Sequence, residues 1–193
     1  MYHPRIVRLV LASASPRRLE LLRSAGFDVD VDAANVDERQ RPDESPAAFV
    51  TRLAREKASA VAARHPNRPV LGADTEVVVD AAVLGKPIDR DDAARMLRQL
   101  SGRVHQVLTG VALVVGERTV SALEQTSVWM SPLSADEIAW YVASGEPMDK
   151  AGAYAIQGLA GRFIPRIEGS YSNVVGLPVA AVLQLLKQAG VAS

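Results

Sequence analysis

Segments with the character of strands alternate along this sequence with segments that begin like helices, and this order restricts the possible folds more than any other property. Arg5–Ala12 is rich in apolar and β-branched residues, and Ser15 and Pro16 then supply an N-cap and a residue favoured in the first helical turn. Two long β-rich segments, Val104–Val115 and Val120–Met130, are separated by a short turn. Strands of both orientations with helices between them predict a mixed α/β sheet.

The remaining elements follow from caps, turns and periodicity. Further helices are predicted after Ser45-Pro46, from Asp89 to Leu100, from the capping box Ser134–Glu137 to Gly145, and from Pro178 to Ala189. Further strands are predicted at Phe27–Val31, Pro69–Ala73, Glu76–Val79 and Arg162–Ile167, with a loop over Asp32–Glu44 and a hairpin over Asp80–Pro87. In the second helix, Lys57 falls beside the apolar stripe, which is an unusual position for a lysine.

Length and charge limit the classes of protein to consider. A chain of 193 residues is predicted to form a single domain over residues 1–193, in which two lobes can share one core. Its 22 basic and 22 acidic residues give a net charge of zero, so no global field draws it to nucleic acid or membrane. A site for an anion must therefore be local.

Cysteine usage and hydropathy indicate the compartment. The chain has no cysteine, which excludes disulfides, thiolate metal sites and a cysteine nucleophile and agrees with a reducing environment. Arg8 interrupts the first apolar run, which makes it a poor secretory signal. The uncharged stretch from Gly169 to Leu186 contains polar residues and a proline, so no membrane span is predicted. We expect a cytoplasmic protein.

Most common catalytic motifs are missing. The sequence contains no phosphate-binding loop of the G-x-x-x-x-G-K-[ST] type, no dinucleotide fingerprint, no nucleophile elbow and no H-E-x-x-H, and its three histidines, His3, His65 and His105, are scattered. A histidine triad or zinc site is therefore not expected. What remains is a set of polar residues near the ends of predicted elements: Ser13, Arg17, Arg18, Glu38, Lys57, Asp74, Thr75, Lys86, Lys150 and Gln157.

Taken singly, each of these residues has an ordinary structural explanation. Lysines often extend past an apolar face to solvent, and aspartates at strand ends often cap turns. Arg17 and Arg18 are harder to explain, because a helix start is already electropositive and two cations there oppose stability. Several cations beside one acid, spread over strand ends and helix starts, indicate a polyphosphate and an acid-held metal.

Six motifs, in order over nearly the whole chain, resemble the Maf family of nucleoside triphosphate pyrophosphatases. They are "LASASPRR", "EKA" at Glu56–Ala58, "GADTEV" at Gly72–Val77, "GKP" at Gly85–Pro87, "LSGRVHQVLTGVAL" at Leu100–Leu113 and "DKAGAYAIQG" at Asp149–Gly158. One fragment would be weak, but six at compatible spacing make the resemblance highly specific.

The resemblance implies a fold and a reaction. The fold is an elongated, two-lobed α/β structure similar to inosine triphosphate pyrophosphatases, with a nucleotide in a central cleft. The reaction converts a nucleoside triphosphate and water to the monophosphate and pyrophosphate with a divalent metal. The "DKAGAYAIQG" segment resembles the branch that acts on dTTP and UTP, without an evident departure. The family is also tied to septum-formation arrest and to removal of modified nucleotides.

The resemblance also implies site residues. Asp74 matches the proton acceptor of the family, and Glu38 matches an acidic position that could help Asp74 hold a metal; Lys150 is expected to be a supporting residue. The positions that set base preference are Arg17, Thr75 and Gln157, and the phosphate-binding set is Ser13, Arg18, Lys57 and Lys86.

The chemistry of these residues leaves some roles open. Without a serine, cysteine or histidine placed to form a covalent intermediate, a carboxylate must activate water. Asp74 could accept the proton of the water, bind the metal, or do both. Oxygen ligands favour Mg²⁺ or Mn²⁺ over zinc. The alternatives are an inosine or xanthosine triphosphate pyrophosphatase and a non-catalytic nucleotide- or nucleic-acid-binding regulator. A homodimer is the assembly left open.

Overall fold

The computed structural model describes residues 7–191 and contains, within that range, six α-helices and one sheet of seven strands. His3 and the first residues of the predicted strand Arg5–Ala12 lie outside the described residues. The strands are β1 (Arg8–Leu11), β2 (Asp28–Val31), β3 (Val70–Val79), β4 (Ala82–Leu84), β5 (Val104–Val115), β6 (Arg118–Trp129) and β7 (Arg166–Glu168). The helices are α1 (Pro16–Ser24), α2 (Pro46–Ala62), α3 (Arg90–Leu100), α4 (Ala135–Ala143), α5 (Tyr171–Val175) and α6 (Val179–Gln188).

The sheet is mixed, as predicted. Its strand order is β2-β1-β3-β5-β6-β7, and β4 pairs with β3. Strand β1 runs parallel to both of its neighbours, whereas β4 is antiparallel to β3 and β7 is antiparallel to β6. Strands β5 and β6 are hydrogen-bonded neighbours joined by a two-residue turn, a connection that only antiparallel strands allow.

The predicted helix starts are confirmed at the level of individual hydrogen bonds. Each predicted N-cap side chain accepts the backbone N–H three positions later, and in α4 Glu137 completes the capping box by accepting from the backbone of the cap. These caps are Ser15, Ser45, Asp89 and Ser134.

The structure corrects the prediction in three places. Pro69–Ala73 and Glu76–Val79 were expected as separate strands, but one strand, β3, continues through Asp74 and Thr75. The first two residues of the predicted strand Arg162–Ile167 belong instead to a 3-10 turn over Leu159–Phe163, and the strand begins only at Arg166. Helix α5 was not predicted, because five residues are too few to show helical periodicity.

The chain divides into two compact units, each made of several segments. Unit 1 contains residues 1–74, 109–124 and 176–193, and unit 2 contains residues 75–108 and 125–175. The expectation of a single domain over residues 1–193 stays a prediction, as does the expectation of an elongated shape with a central cleft.

The core of unit 1 is aliphatic. Leu9, Leu11 and Leu71 from the parallel strands are fully buried with Leu22 of α1 and Leu185 of α6. Full burial of one such side chain contributes about 1.5–3 kcal/mol to the free energy of unfolding. This core fixes the carboxyl end of β1 and the start of α1. The arginine pair, Arg17 and Arg18, lies in the first turn of α1.

The core of unit 2 combines helices α3 and α4 with aromatic residues and one buried histidine. The edge of the His105 ring meets the Tyr154 ring at a centroid distance of 5.3 Å, and His105 Nε2 lies 2.8 Å from the Tyr154 hydroxyl. Burial lowers the pKa of His105 to about 4 and raises the pKa of Tyr154. Both groups are therefore neutral near pH 7.

None of the helices between residues 7 and 191 combines the length and the continuous apolar character that a membrane span requires.

Candidate functional site

Asp74 lies in the interior of strand β3. Its side chain is only 9% exposed, and its Oδ1 accepts a hydrogen bond from Lys57 Nζ at 2.7 Å. No donor among the described residues reaches its buried Oδ2. A buried acceptor without a donor is costly, so Oδ2 is a place where a ligand or water can bind at a gain.

Lys57 bridges two carboxylates. It is buried on helix α2, and its Nζ lies 2.7 Å from Asp74 Oδ1 and 2.8 Å from Glu38 Oε1. Glu38 is 58% exposed, so this end of the arrangement faces solvent. The ordinary structural explanation, in which a lysine extends past the apolar face to solvent, does not apply to Lys57, because its charge is matched by the two carboxylates. The structure thus brings together three of the predicted site residues.

Gly72 explains how Lys57 reaches Asp74. A Cβ atom at Gly72 would lie 2.2 Å from the carbonyl oxygen of Ala54 and 2.7 Å from the backbone nitrogen of Ala58, so α2 packs directly on the backbone of β3. Gly110 of β5 has the same relation to Val50, whose carbonyl oxygen would be 2.3 Å away. Sequence reasoning missed the role of these glycines; the signal was a glycine inside each predicted strand.

Arg52 fixes the loop that carries Glu38. Its guanidinium donates to both oxygens of Glu44 at 2.6 and 2.8 Å, to Glu56 at 3.0 Å and to the carbonyl oxygen of Arg39 at 3.1 Å. The hydrogen bond from Arg52 lowers the pKa of Glu44 to about 2. The loop predicted over Asp32–Glu44 is therefore anchored to α2 through Arg52. One of the anchoring contacts is at Arg39, the residue after Glu38.

Arg18, the second arginine of the pair at the start of α1, has a structural function that the sequence did not suggest. Arg18 donates to the hydroxyl of Ser13 at 3.1 Å and to the carbonyl oxygens of Ala73 and Gly176 at 2.9 and 2.8 Å. These two carbonyl oxygens accept hydrogen bonds from Arg18 and partly offset its positive charge. The stability of the start of α1 therefore does not depend on an external anion alone. Arg17 is half-buried in the same turn.

The four remaining predicted residues belong to unit 2. Thr75 is half-buried on β3, where its side chain points to the face opposite Asp74 because neighbours on a strand alternate. Lys86 and Gln157 are exposed. Lys150 donates to the backbone carbonyl of Glu146 at 2.8 Å and pairs with Asp149, which agrees with a supporting role.

Asp74 and Glu38 are the carboxylates of this site that could hold a divalent metal. Within residues 7–191, no group of three or more histidine, cysteine or acidic side chains is arranged around a common metal position. Asp74 and Glu38 both reach the same ammonium group, and Asp74 keeps one oxygen without a donor. Mg²⁺ in phosphate sites is typically held by one or two carboxylates, with phosphates and waters completing the shell. The residues present therefore fit such a metal.

The chain was compared with known proteins. Residues 8–189 match the family described as Maf-like protein. A protein of Symbiobacterium thermophilum named dTTP/UTP pyrophosphatase is 57% identical over 183 residues, which cover 95% of this chain and 94% of the relative. A protein of Koribacter versatilis with the same name is 54% identical over 183 residues, covering 95% of each chain.

A structural comparison identifies a shared fold. The solved structure of the Staphylococcus aureus Ham1 protein matches with a TM-score of 0.56 and 13% identity, over 94% of this chain and 99% of that protein. The predicted mixed α/β fold is therefore confirmed.

Proposed function

Since this chain belongs to the Maf-like protein family, we propose that it is a nucleoside triphosphate pyrophosphatase acting on dTTP and UTP. The single observation that carries the proposal is identity of more than 50% over nearly the full length with relatives named dTTP/UTP pyrophosphatase. The geometry of the buried pair of Lys57 and Asp74 supports the proposal. Asp74 Oδ1 contacts the Lys57 ammonium group, and Asp74 Oδ2 remains available to accept a hydrogen bond.

In the proposed reaction, Asp74 accepts a proton from water. The water oxygen forms a bond to the α-phosphorus, the bond from that phosphorus to the bridging oxygen breaks, and pyrophosphate leaves with the electron pair. The products are the nucleoside monophosphate and pyrophosphate. Charge on the phosphate oxygens makes electrostatic stabilisation the main contribution of the protein.

Cationic and polar side chains are proposed to bind the triphosphate. Lys57 and Lys86 act as point charges, and Arg18 together with Ser13 presents donors at the start of α1. Arg18 keeps its contacts with carbonyl groups while doing so, because a guanidinium has five N–H donors. Arg17, Thr75 and Gln157 are proposed to set base preference.

Asp74 and Glu38 would hold Mg²⁺ or Mn²⁺, which when bound neutralises phosphate charge and lowers the pKa of a coordinated water. With or without that assistance, Lys57 orients both carboxylates through its two ion pairs. We further propose a cytoplasmic location, no nucleic-acid or membrane partner, and a homodimer as the assembly to be tested by light scattering.

The experiment is release of pyrophosphate, with Mg²⁺ present, from a panel of dTTP, UTP, CTP, ATP, GTP, ITP, XTP and modified pyrimidine triphosphates. We expect dTTP and UTP to be hydrolysed fastest, because uracil and thymine present the same hydrogen-bonding edge to Gln157; the extra methyl group of thymine, worth about 1–3 kcal/mol, can separate their rates by about 5- to 150-fold. Faster turnover of ITP or XTP would establish the purine alternative. Tight binding of duplex DNA with no turnover of any nucleotide would establish the regulator.

A further inference from the structure

The segment that carries Gln157 has no regular secondary structure of its own. Residues 155–158 lie between two 3-10 turns, Ala151–Ala153 and Leu159–Phe163. Within the segment, one backbone hydrogen bond links Gly158 to Ala155 at 3.0 Å. The other backbone N–H groups of the segment must therefore find partners outside it.

Two side chains of unit 2 hold this segment on both sides of Gln157. The Tyr141 hydroxyl accepts the backbone N–H of Ala155 at 3.2 Å, two residues before Gln157. Glu146 Oε2 accepts the backbone N–H of Leu159 at 3.0 Å, two residues after it. The Tyr141 hydroxyl in turn donates to Glu146 Oε1 at 2.8 Å, which joins both contacts into one network.

The network is strong for physical reasons. Glu146 Oε1 also receives the N–H of Ala160 at 3.5 Å, so three donors converge on one carboxylate. Hydrogen bonds to a charged acceptor are about twice as strong as neutral ones. Tyr141 is fully buried, and burial together with Glu146 raises its pKa, so the hydroxyl keeps its proton and remains a donor.

Gly158 shows how closely the carboxylate approaches the segment. A Cβ atom at this position would lie 2.2 Å from Glu146 Oε2 and 2.4 Å from its Cδ. A residue with a side chain would displace the carboxylate from the N–H groups of Leu159 and Ala160. The glycine after Gln157 is thus required by the contact with Glu146.

We propose that Glu146, assisted by Tyr141, is a positioning residue that selects the base by fixing the backbone on which Gln157 is placed. The inference rests on the proposed function, in which Gln157 meets the edge of uracil or thymine. A carboxamide has both a donor and an acceptor, and rotation would let it pair with cytosine as well. Selectivity therefore requires neighbouring groups that hold the carboxamide in one orientation, and these can do so only if the backbone on both sides of Gln157 is fixed, as it is by Tyr141 and Glu146.

The test is a double-mutant cycle on the ratio of kcat/KM for UTP to that for CTP. The variants are Glu146→Gln, Gln157→Ala and the double variant, with Glu168→Gln as a control that removes an exposed carboxylate of unit 2. Glutamine offers one oxygen where the carboxylate offers two, so at least one of the three donors loses its acceptor. We expect Glu146→Gln to lower the ratio at least ~3-fold, by raising KM for UTP while kcat changes less than ~2-fold.

The cycle distinguishes positioning from general damage to the fold. If Glu146 acts through Gln157, Glu146→Gln changes the ratio in the parent and leaves it unchanged in the Gln157→Ala background. An equal decrease in both backgrounds, or no decrease in the parent, would overturn the proposal for Glu146 alone. If Gln157→Ala itself leaves the ratio unaltered, the role of Gln157 in the proposed function fails, and this inference fails with it.

Tyr141→Phe provides a second route to the same answer if Glu146→Gln does not fold. It removes only the hydroxyl that joins Ala155 to Glu146, and the ring stays in the core. We expect a decrease of the UTP-to-CTP ratio in the same direction and a faster hydrogen exchange of the Ala155 amide. A wild-type ratio in Tyr141→Phe, together with normal exchange at Ala155, would contradict the network.

Discussion

The buried carboxylate of Asp74 in unit 1 and the Gln157 segment in unit 2 are held in different ways. Asp74 and Lys57 lie on a strand and a helix, and their 2.7 Å contact depends on how closely these two elements pack. Gln157 lies outside helices and strands, and its neighbours are held by individual hydrogen bonds to Tyr141 and Glu146. The packing of regular elements fixes the distance between Asp74 and Lys57, whereas side chain to backbone hydrogen bonds fix the conformation around Gln157. The two regions should therefore respond differently to substitution.

The largest effect is expected at Asp74. Asp74→Asn keeps the size of the side chain and one acceptor for Lys57 but removes the base, so kcat/KM for dTTP should fall by about 10²-fold or more. Melting temperature and the initial rate of pyrophosphate release are the measurements. Asp43→Asn, an exposed change in the same unit, is the control and should leave the rate unchanged. Turnover within a few-fold of the parent would show that Asp74 is neither base nor metal ligand.

Gly72→Ala tests the close packing itself. The added methyl group meets backbone atoms of α2 that cannot move separately, so we expect a loss of about 3 kcal/mol in the free energy of unfolding, measured with urea. The matched control is Gly85→Ala in unit 2, where the nearest atom to a new Cβ is 3.9 Å away and the change should be below about 1 kcal/mol. Similar losses in both variants would contradict the close approach of α2.

The buried histidine of unit 2 predicts a pH dependence of stability. The pKa of His105 is about 4 in the folded protein and about 6.5 unfolded, so the unfolded state binds a proton first as pH falls. Stability should decrease as pH falls from about 6.5 to 4, by about 2 kcal/mol between pH 7.5 and pH 5. His105→Gln should lose that portion of the pH dependence in urea titrations at the two pH values. An unchanged dependence would show that another group is responsible.

The smallest effect is expected at Lys86. Because this lysine is exposed in unit 2, Lys86→Ala should raise KM for dTTP about 5-fold and leave the melting temperature within a degree or two. Increasing salt should reduce the difference from the parent, since screening weakens exposed charges. A variant that melts well below the parent with normal kinetics would instead give Lys86 a structural role.

Much of the fold was predictable from sequence because the signals were local. The N-caps at Ser15, Ser45 and Ser134 and the turn between β5 and β6 each depend on a few neighbouring residues. Strand β3 was predicted as two strands because Asp74 has low β propensity, and the pairing of β3 with its neighbours overrides that preference.

The candidate site was predictable as a set of residues but not as a set of contacts. The resemblance to the family indicated Lys57, Asp74 and Glu38, whereas the ion pairs between them depend on α2 packing against β3. The carbonyl partners of Arg18 are likewise distant in sequence, since Gly176 is 158 residues away. A local sequence pattern does not specify such distant partners. For this reason the sequence suggested that the charge of Arg18 had no partner within the protein.

The contact between helix α2 and the sheet also bears on how this protein can change during evolution. Because Gly72 and Gly110 place backbone against backbone, the distance from Lys57 to Asp74 does not depend on the volumes of interdigitating side chains. Substitutions that gradually repack Leu9, Leu11 or Leu185 can therefore accumulate without changing the contact between Lys57 and Asp74. A larger residue at Gly72 or Gly110 cannot be accommodated by a smaller side chain at a neighbouring position, because the atoms that it would meet belong mainly to the main chain of α2. Core side chains can therefore vary during evolution, whereas positions 72 and 110 must remain glycine.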